Sequence, residues 1–297
     1  MKSPPVNKER IFWGGLFLIL ALAGLMYQYL THKRLEQSAA LFIGISAVLA
    51  LGLSLLPVAK NATGNIVLGT TIALVLSMVI FREGAVCILM SIPLFLTVAA
   101  MVGQGVDAIR DAKNKNRMRV VLALLFLPLS LEGVTEDLSF NRDETVVVER
   151  VVAMTPQMIE SKMSGVPDLS TTLPLFLQLG FPVAQSYSGE DLKVGSERCF
   201  HVPARKGLSG DVCWVIEQQS SNHVLFKLVK DESKIAHWMT WRTVKVQWFA
   251  EDNDQSHIVV TLKFWRELDP AWYFSPLERY AVGLTGEYLI DAYLGQR

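Results

Sequence analysis

Residues 210–230, GDVCWVIEQQSSNHVLFKLVK, decide the fold of the C-terminal half of the chain. Val212, Trp214 and Ile216 alternate with their neighbours, a polar stretch intervenes, and Val224, Phe226 and Leu228 alternate again. Successive side chains of a strand point to opposite faces, so these are two half-buried strands with one apolar face each. The same even numbering continues in Trp238, Val244, Val246 and Trp248, then in Ile258, Val260, Leu262 and Phe264. Lys227, Lys245, Gln247 and Lys263 take the odd face, where water is expected.

Working outward, strand-like runs recur at 183–187, 195–202, 210–217, 223–230, 237–250 and 256–267, preceded by an alternating run at 144–154. Thr155-Pro156 reads as an N-cap followed by proline at the first helical position, opening a short helix to about Met163. A second helical turn, 173–179, is closed by Gly180 and Pro182. Ser275-Pro276-Leu277-Glu278 has the form of a capping box and predicts a final helix. Leu277, Tyr280, Ala281, Leu284 and Tyr288 fall on one face of it.

Residues 145–152 leading into Thr155-Pro156, the Leu179-Gly180-Phe181-Pro182 link, Val194-Gly195, and Leu268-Asp269-Pro270-Ala271-Trp272-Tyr273-Phe274 leading into 275–280 carry a family likeness. In that order of elements the segment resembles the helix-grip fold of the SRPBCC or START-like superfamily, and within it the polyketide cyclase/dehydrase-like group. The resemblance covers about 144–295. It implies an α+β domain whose curved antiparallel sheet wraps a long C-terminal helix, enclosing an apolar cavity for lipids, sterols or polyketides. It carries no catalytic signature, since only some similar domains are enzymes.

Parity assigns the candidate ligand-binding residues: Trp214, Phe226, Trp238 and Phe264 on the oily face, with Arg242 and Arg266 as cations among them. A buried cation needs an anionic partner. Each arginine therefore pairs with Glu278 or Glu287 of the final helix or escapes to water at a strand end; the alternative for Arg242 is the carboxylate or phosphate of an amphiphile at the cavity mouth. Cys199 and Cys213 flank the turn-rich stretch 203–210 and become cross-strand partners if the turn centres on Lys206, which makes them a disulfide candidate on the outer face. No catalytic set, cofactor or metal is expected. Gly207-Leu208-Ser209-Gly210 reads as a turn, His201, His223, His237 and His257 lack metal-ligand spacing, and the pair His237 and Glu217 has the wrong parity for the cavity.

The first 134 residues belong to another solvent. Apolar runs at 11–30, 39–59, 66–81 and 84–102 approach the roughly 17 to 25 residues that cross a hydrocarbon core. More runs follow the first at once, which favours spans over a secretory signal. Residues 1–134 hold 12 Lys/Arg against 6 Asp/Glu, and 135–297 hold 16 against 22. No basic stripe points to nucleic acid. Arg110, Lys113, Lys115, Arg117 and Arg119 mark a cytoplasmic flank. The short run 120–131, extended to 118–134, is expected to be a fifth span, with an interfacial segment as the alternative. Arg82 and Glu83 form a tight hairpin or a docking point, and Cys87 is a packing residue.

The expected protein is therefore a transmembrane region of four or five helices, 1–134, joined to a START-like domain, 140–297. It is multi-pass in the cytoplasmic (inner) membrane, with the C-terminal domain extracytoplasmic. Three readings of that domain stand. It takes a hydrophobic or amphipathic ligand, lipid-like, for transfer, sensing or sequestration. Alternatively it is an enzyme of cyclase, aromatase or hydratase type, or an interaction surface for a membrane partner with the cavity filled. An open cavity of about 300 Å³ or more favours the first two.

Overall fold

In the computed structural model, the structure describes residues 37–54, 62–81, 85–111 and 128–295, except 180, 190, 204–208 and 253, together with Phe126 and scattered residues in 15–30. The chain divides into two compact units, Met1–Phe140 with Leu268–Tyr273, and Asn141–Glu267 with Phe274–Arg297. Leu268–Tyr273, counted with the C-terminal domain in the sequence, thus clusters with the N-terminal unit.

In the N-terminal unit, π-helical turns at Ala40–Ile45 run into α1 (Ser46–Ser54), followed by α2 (Ala62–Phe81) and α3 (Ala85–Asp111). The last helix outruns the expected span 84–102 and continues through Gly103-Gln104-Gly105. Its polar extension is held at the start of α2: Asp107 Oδ2 accepts from Thr63 N at 3.0 Å and from Thr63 Oγ1 at 2.7 Å. Gly103 makes that approach feasible, because a Cβ there would stand 2.6 Å from Thr63 Cα.

Among the described residues one helix, at Met90–Ala108, is long and apolar enough to cross a membrane, while Ala40–Leu51 and Thr63–Val75 are apolar but shorter. The four or five expected spans are not shown. Those at 11–30 and 118–134 fall mainly outside the described residues, as do Arg82, Glu83 and the side chain of Cys87.

The C-terminal unit begins with β1 (Asp143–Val152). Two short helices follow, α4 (Pro156–Ser164) and α5 (Leu175–Gln178). Thr155 Oγ1 accepts from Met158 N, the N-cap that the sequence suggested, and Ile159 and Met163 bury one face of α4. Then come β2 (Ser186–Ser188), β3 (Glu197–Pro203), β4 (Ser209–Ser220), β5 (His223–Asp231), β6 (Met239–Ala250) and β7 (Ser256–Arg266). They form one antiparallel seven-stranded sheet in the order β1-β7-β6-β5-β4-β3-β2. The chain closes with α6 (Ala271–Leu294). A meandering antiparallel sheet with two short helices after its first strand and a long terminal helix on one face is a helix-grip architecture.

The final helix corrects the sequence in two respects. It starts at Ala271, before Pro276, so Ser275 is no N-cap. Proline removes the donor for one helical bond, but the turn ahead of it survives because Glu132 Oε1 accepts from Ala271 N at 2.7 Å, placing a carboxylate at the helix start. Its buried face runs through Phe274, Glu278, Ala281, Val282, Gly286 and Ile290, leaving Tyr280 exposed. Small residues bring the helix close to the sheet: a Cβ on Gly286 would lie 2.8 Å from Val148 Cγ2 and 3.0 Å from Leu262 Cδ1.

Candidate ligand-binding cavity

The inner face of the sheet does not close completely on α6. A cavity of about 210 Å³ remains, walled by Phe200, Trp214, Phe226, Trp241, Val244 and Val260 from the sheet. Thr285, Tyr288, Leu289 and Tyr293 of α6 form the opposite wall, and Ile159, Leu177 and Phe181 close the side next to the short helices. The cavity is smaller than the roughly 300 Å³ at which small-molecule pockets generally begin. Aromatic rings take up the difference, with Trp214 and Trp241 packed edge to face at 6.0 Å and Trp241 against Phe264 at 6.3 Å. It still exceeds the roughly 150 Å³ engineered cavity that holds benzene.

Of the candidate ligand-binding residues, Trp214 and Phe226 line this space. Phe264 is 1% exposed and sits behind Trp241. Trp238 lies just before β6 and packs on Phe181, a wall residue, at 5.7 Å. Arg242 is corrected: it is exposed, with its guanidinium 5.3 Å from the Trp265 ring centroid. The cause is a register shift in β6, where Trp241 pairs with Phe264 and Thr243 with Lys263, leaving Arg242 without a cross-strand partner. The bulge exchanges parity along the strand, so Met239 and Trp241 point inward before it, and Val244 and Val246 after it. Arg266, fully buried at the end of β7, is not part of the cavity wall. Glu287, one of its two candidate partners, pairs with Arg150 instead.

Cys199 and Cys213 are opposed in the β3–β4 ladder and joined as a disulfide, their Cα atoms 4.1 Å apart. Glu197 approaches the same sulfurs, but bonded sulfurs offer a metal no thiolate. On the same outer parity His201 Nδ1 meets Asp211 Oδ1 at 2.7 Å, and Lys230 Nζ reaches Asp211 Oδ2 at 3.0 Å. These contacts hold the Asp211 carboxyl below its usual range, Lys230 contributing most. Glu217 and His237 do not line the cavity.

Arg198 is the residue that the sequence reading missed. It is 1% exposed, pairs with Trp214 across the ladder and is the one charged side chain in the cavity wall among the described residues. Extending the parity argument to Arg198, Phe200 and Val202 of β3 would have found it. Its guanidinium cups the end of α4, with Nη1 donating to Met163 O at 2.7 Å and Nη2 to Ser164 O at 3.2 Å. Nη2 also donates to Asp191 O at 2.8 Å, and Nε to the same oxygen at 3.2 Å. Nη1 reaches Tyr293 Oη at 3.5 Å, which in turn donates to Tyr187 Oη at 3.4 Å. Burial raises the Tyr187 pKa, and burial followed by the charge of Asp168 raises that of Tyr288, so both stay protonated donors at neutral pH.

No protein-family model and no curated protein matches the chain. Solved structures similar to its C-terminal half include a START-superfamily protein from Mycobacterium smegmatis, 17% identical over 50% of this chain and 92% of that one, with a TM-score of 0.35. An uncharacterised protein from Rhizobium leguminosarum is 16% identical over 50% and 93%, at 0.34. The Zhui aromatase/cyclase from a Streptomyces species is 13% identical over 50% and 95%, also at 0.34. Likeness at this level carries no argument about ligand or chemistry.

Proposed function

We propose that this chain is a membrane-anchored binding module that takes a hydrophobic or amphipathic small molecule into its helix-grip cavity for transfer, sensing or sequestration. The observation that carries the reading is the cavity itself: at about 210 Å³ it falls short of the roughly 300 Å³ that separates an open pocket from a filled domain, but its apolar space is not filled by side chains. It is an apolar hollow kept open between the sheet and α6, with a few oriented polar groups in a largely hydrocarbon wall. The cyclase-type alternative needs an acid and a base at a reacting centre, whereas among the described residues the wall offers no carboxylate and no histidine.

Anchoring is supported by the apolar Met90–Ala108 segment and by Leu68, Ile72 and Val75, which recur at helical spacing on α2 yet stand 48–58% exposed. A surface stripe of that kind suits lipid contact. We place the module in the cytoplasmic (inner) membrane with further spans in the first 134 residues. The C-terminal domain is extracytoplasmic, where a Cys199–Cys213 bond is stable.

Native mass spectrometry of the full chain, extracted from its membrane, tests the reading against a Val260→Trp variant that fills the cavity. A small apolar adduct on the wild type, lost in the variant, is the expected result. A wild type that carries no adduct and takes up no added amphiphile would overturn it.

A further inference from the structure

We infer that the ligand of this cavity carries a single anionic or strongly electron-rich head group, held at the end of the cavity where Arg198 and Tyr293 meet. The inference rests on the binding reading above and specifies its ligand class. Two independent observations support it.

The first is the sign of the wall. Among the described residues Arg198 is its only ionised side chain, and the partners of that guanidinium are backbone carbonyls, a phenol and the ring of Phe226 at 6.0 Å, none of which carries a negative charge. Those dipoles satisfy its N–H groups but leave a full positive charge facing a low-dielectric hollow. A cationic head would be repelled there, a neutral one would gain little, and an anionic one would supply the missing counter-charge.

The second is a hydroxyl in want of an acceptor. Tyr288 lines the cavity, and its buried Oη has no hydrogen-bond partner among the described residues. A buried donor left unmade is costly, so an incoming acceptor would be rewarded. Tyr293 adds a second donor, since its bond to Tyr187 is 3.4 Å long and its hydroxyl can turn to a better acceptor at small cost. The wall's polar side chains are thus the Arg198 cation, two phenols and the hydroxyls of Ser233 and Thr285, with the Asp168 carboxylate acting on Tyr288 from outside the wall, a set that favours a carboxylate or phosphate-like head over an amine.

The test titrates octanoate, octanol and octylamine at pH 7 into the full chain in lipid nanodiscs, subtracting empty nanodiscs, with wild type and the Tyr288→Phe/Tyr293→Phe variant in parallel. Octanoate should bind at least about tenfold more tightly than octanol, as expected for charge-assisted bonds in a dry site. Octylamine should bind more weakly than either. The phenylalanine variant, which keeps the cavity shape, should weaken octanoate severalfold more than octanol and so shrink the preference between them. Equal binding of octanoate and octanol by the wild type overturns the head-group inference while leaving the cavity a binding site. Binding of none of the three overturns the binding reading, and the inference with it.

Discussion

Two arginines of the C-terminal unit are both buried and differently surrounded. Arg150 of β1, 8% exposed, lies between the carboxylates of Glu287 and Asp291, about two turns and one turn from the end of α6. Burial pulls its pKa down, but hydrogen bonds and charge from Asp291 and Glu287 together raise it, so the cation is locked in place. Arg198 of β3, 1% exposed, meets carbonyls and a tyrosine. The Arg150 region is electrostatically complete and ties the helix to the sheet. The Arg198 region is satisfied in hydrogen bonds and open in charge, a condition that a ligand can complete.

The largest effect should come from stripping Arg150 of its partners. Glu287→Gln with Asp291→Asn should cost about 3 kcal/mol of unfolding free energy in a denaturant titration, as charged hydrogen bonds are lost around a buried cation. Amphiphile affinity should be unaltered, and a parallel loss of binding would erase the contrast between the two regions. Removing the disulfide by Cys199→Ser with Cys213→Ser should cost about 2 to 3 kcal/mol, the value for a closed loop of this order. A reductant should lower the melting temperature of the wild type and leave that of the double variant unchanged.

Arg198→Lys sharpens the comparison, since it keeps the charge and loses the planar fork. It should cost about 1 to 2 kcal/mol of stability, because one ammonium cannot serve the carbonyls of Met163, Ser164 and Asp191 together. The preference for a carboxylate over an alcohol should survive. The smallest effect concerns Asp211, whose carboxyl is held below its usual 3.8 by Lys230 and His201. A lowered carboxyl stabilises the fold above its unfolded pKa, and that contribution is lost as pH falls through the folded value. Asp211→Asn should therefore flatten the acid limb of a melting-temperature profile below about pH 4, with neutral-pH stability nearly unchanged.

Most of the domain was legible one strand at a time. Alternation placed Trp214, Ile216, Val224, Phe226, Ile258 and Val260 on the inner face, and all are buried there. The Thr155-Pro156 cap and the cross-strand relation of Cys199 and Cys213 also follow from local spacing. Parity failed at Arg242 because it assumes an unbroken ladder, and one extra residue in β6 turns the side chains on either side of it. The start of α6 was misjudged because Pro276 forbids one hydrogen bond without forbidding the turn before it, and that turn is held by Glu132, a residue remote in the chain.

The sequence by itself determined the alternation, the caps and the change from an apolar N-terminal half to a mixed C-terminal one. These properties depend on neighbours within a few positions, where strand and helix periodicity act. Tertiary structure alone decided which cation faces the cavity, which carboxylates neutralise Arg150, and how much space the rings of Trp214 and Trp241 leave beneath α6. Those are sums over residues distant in the chain, and side-chain packing and charge pairing take definite values only after the sheet has curved and the helix has docked on it.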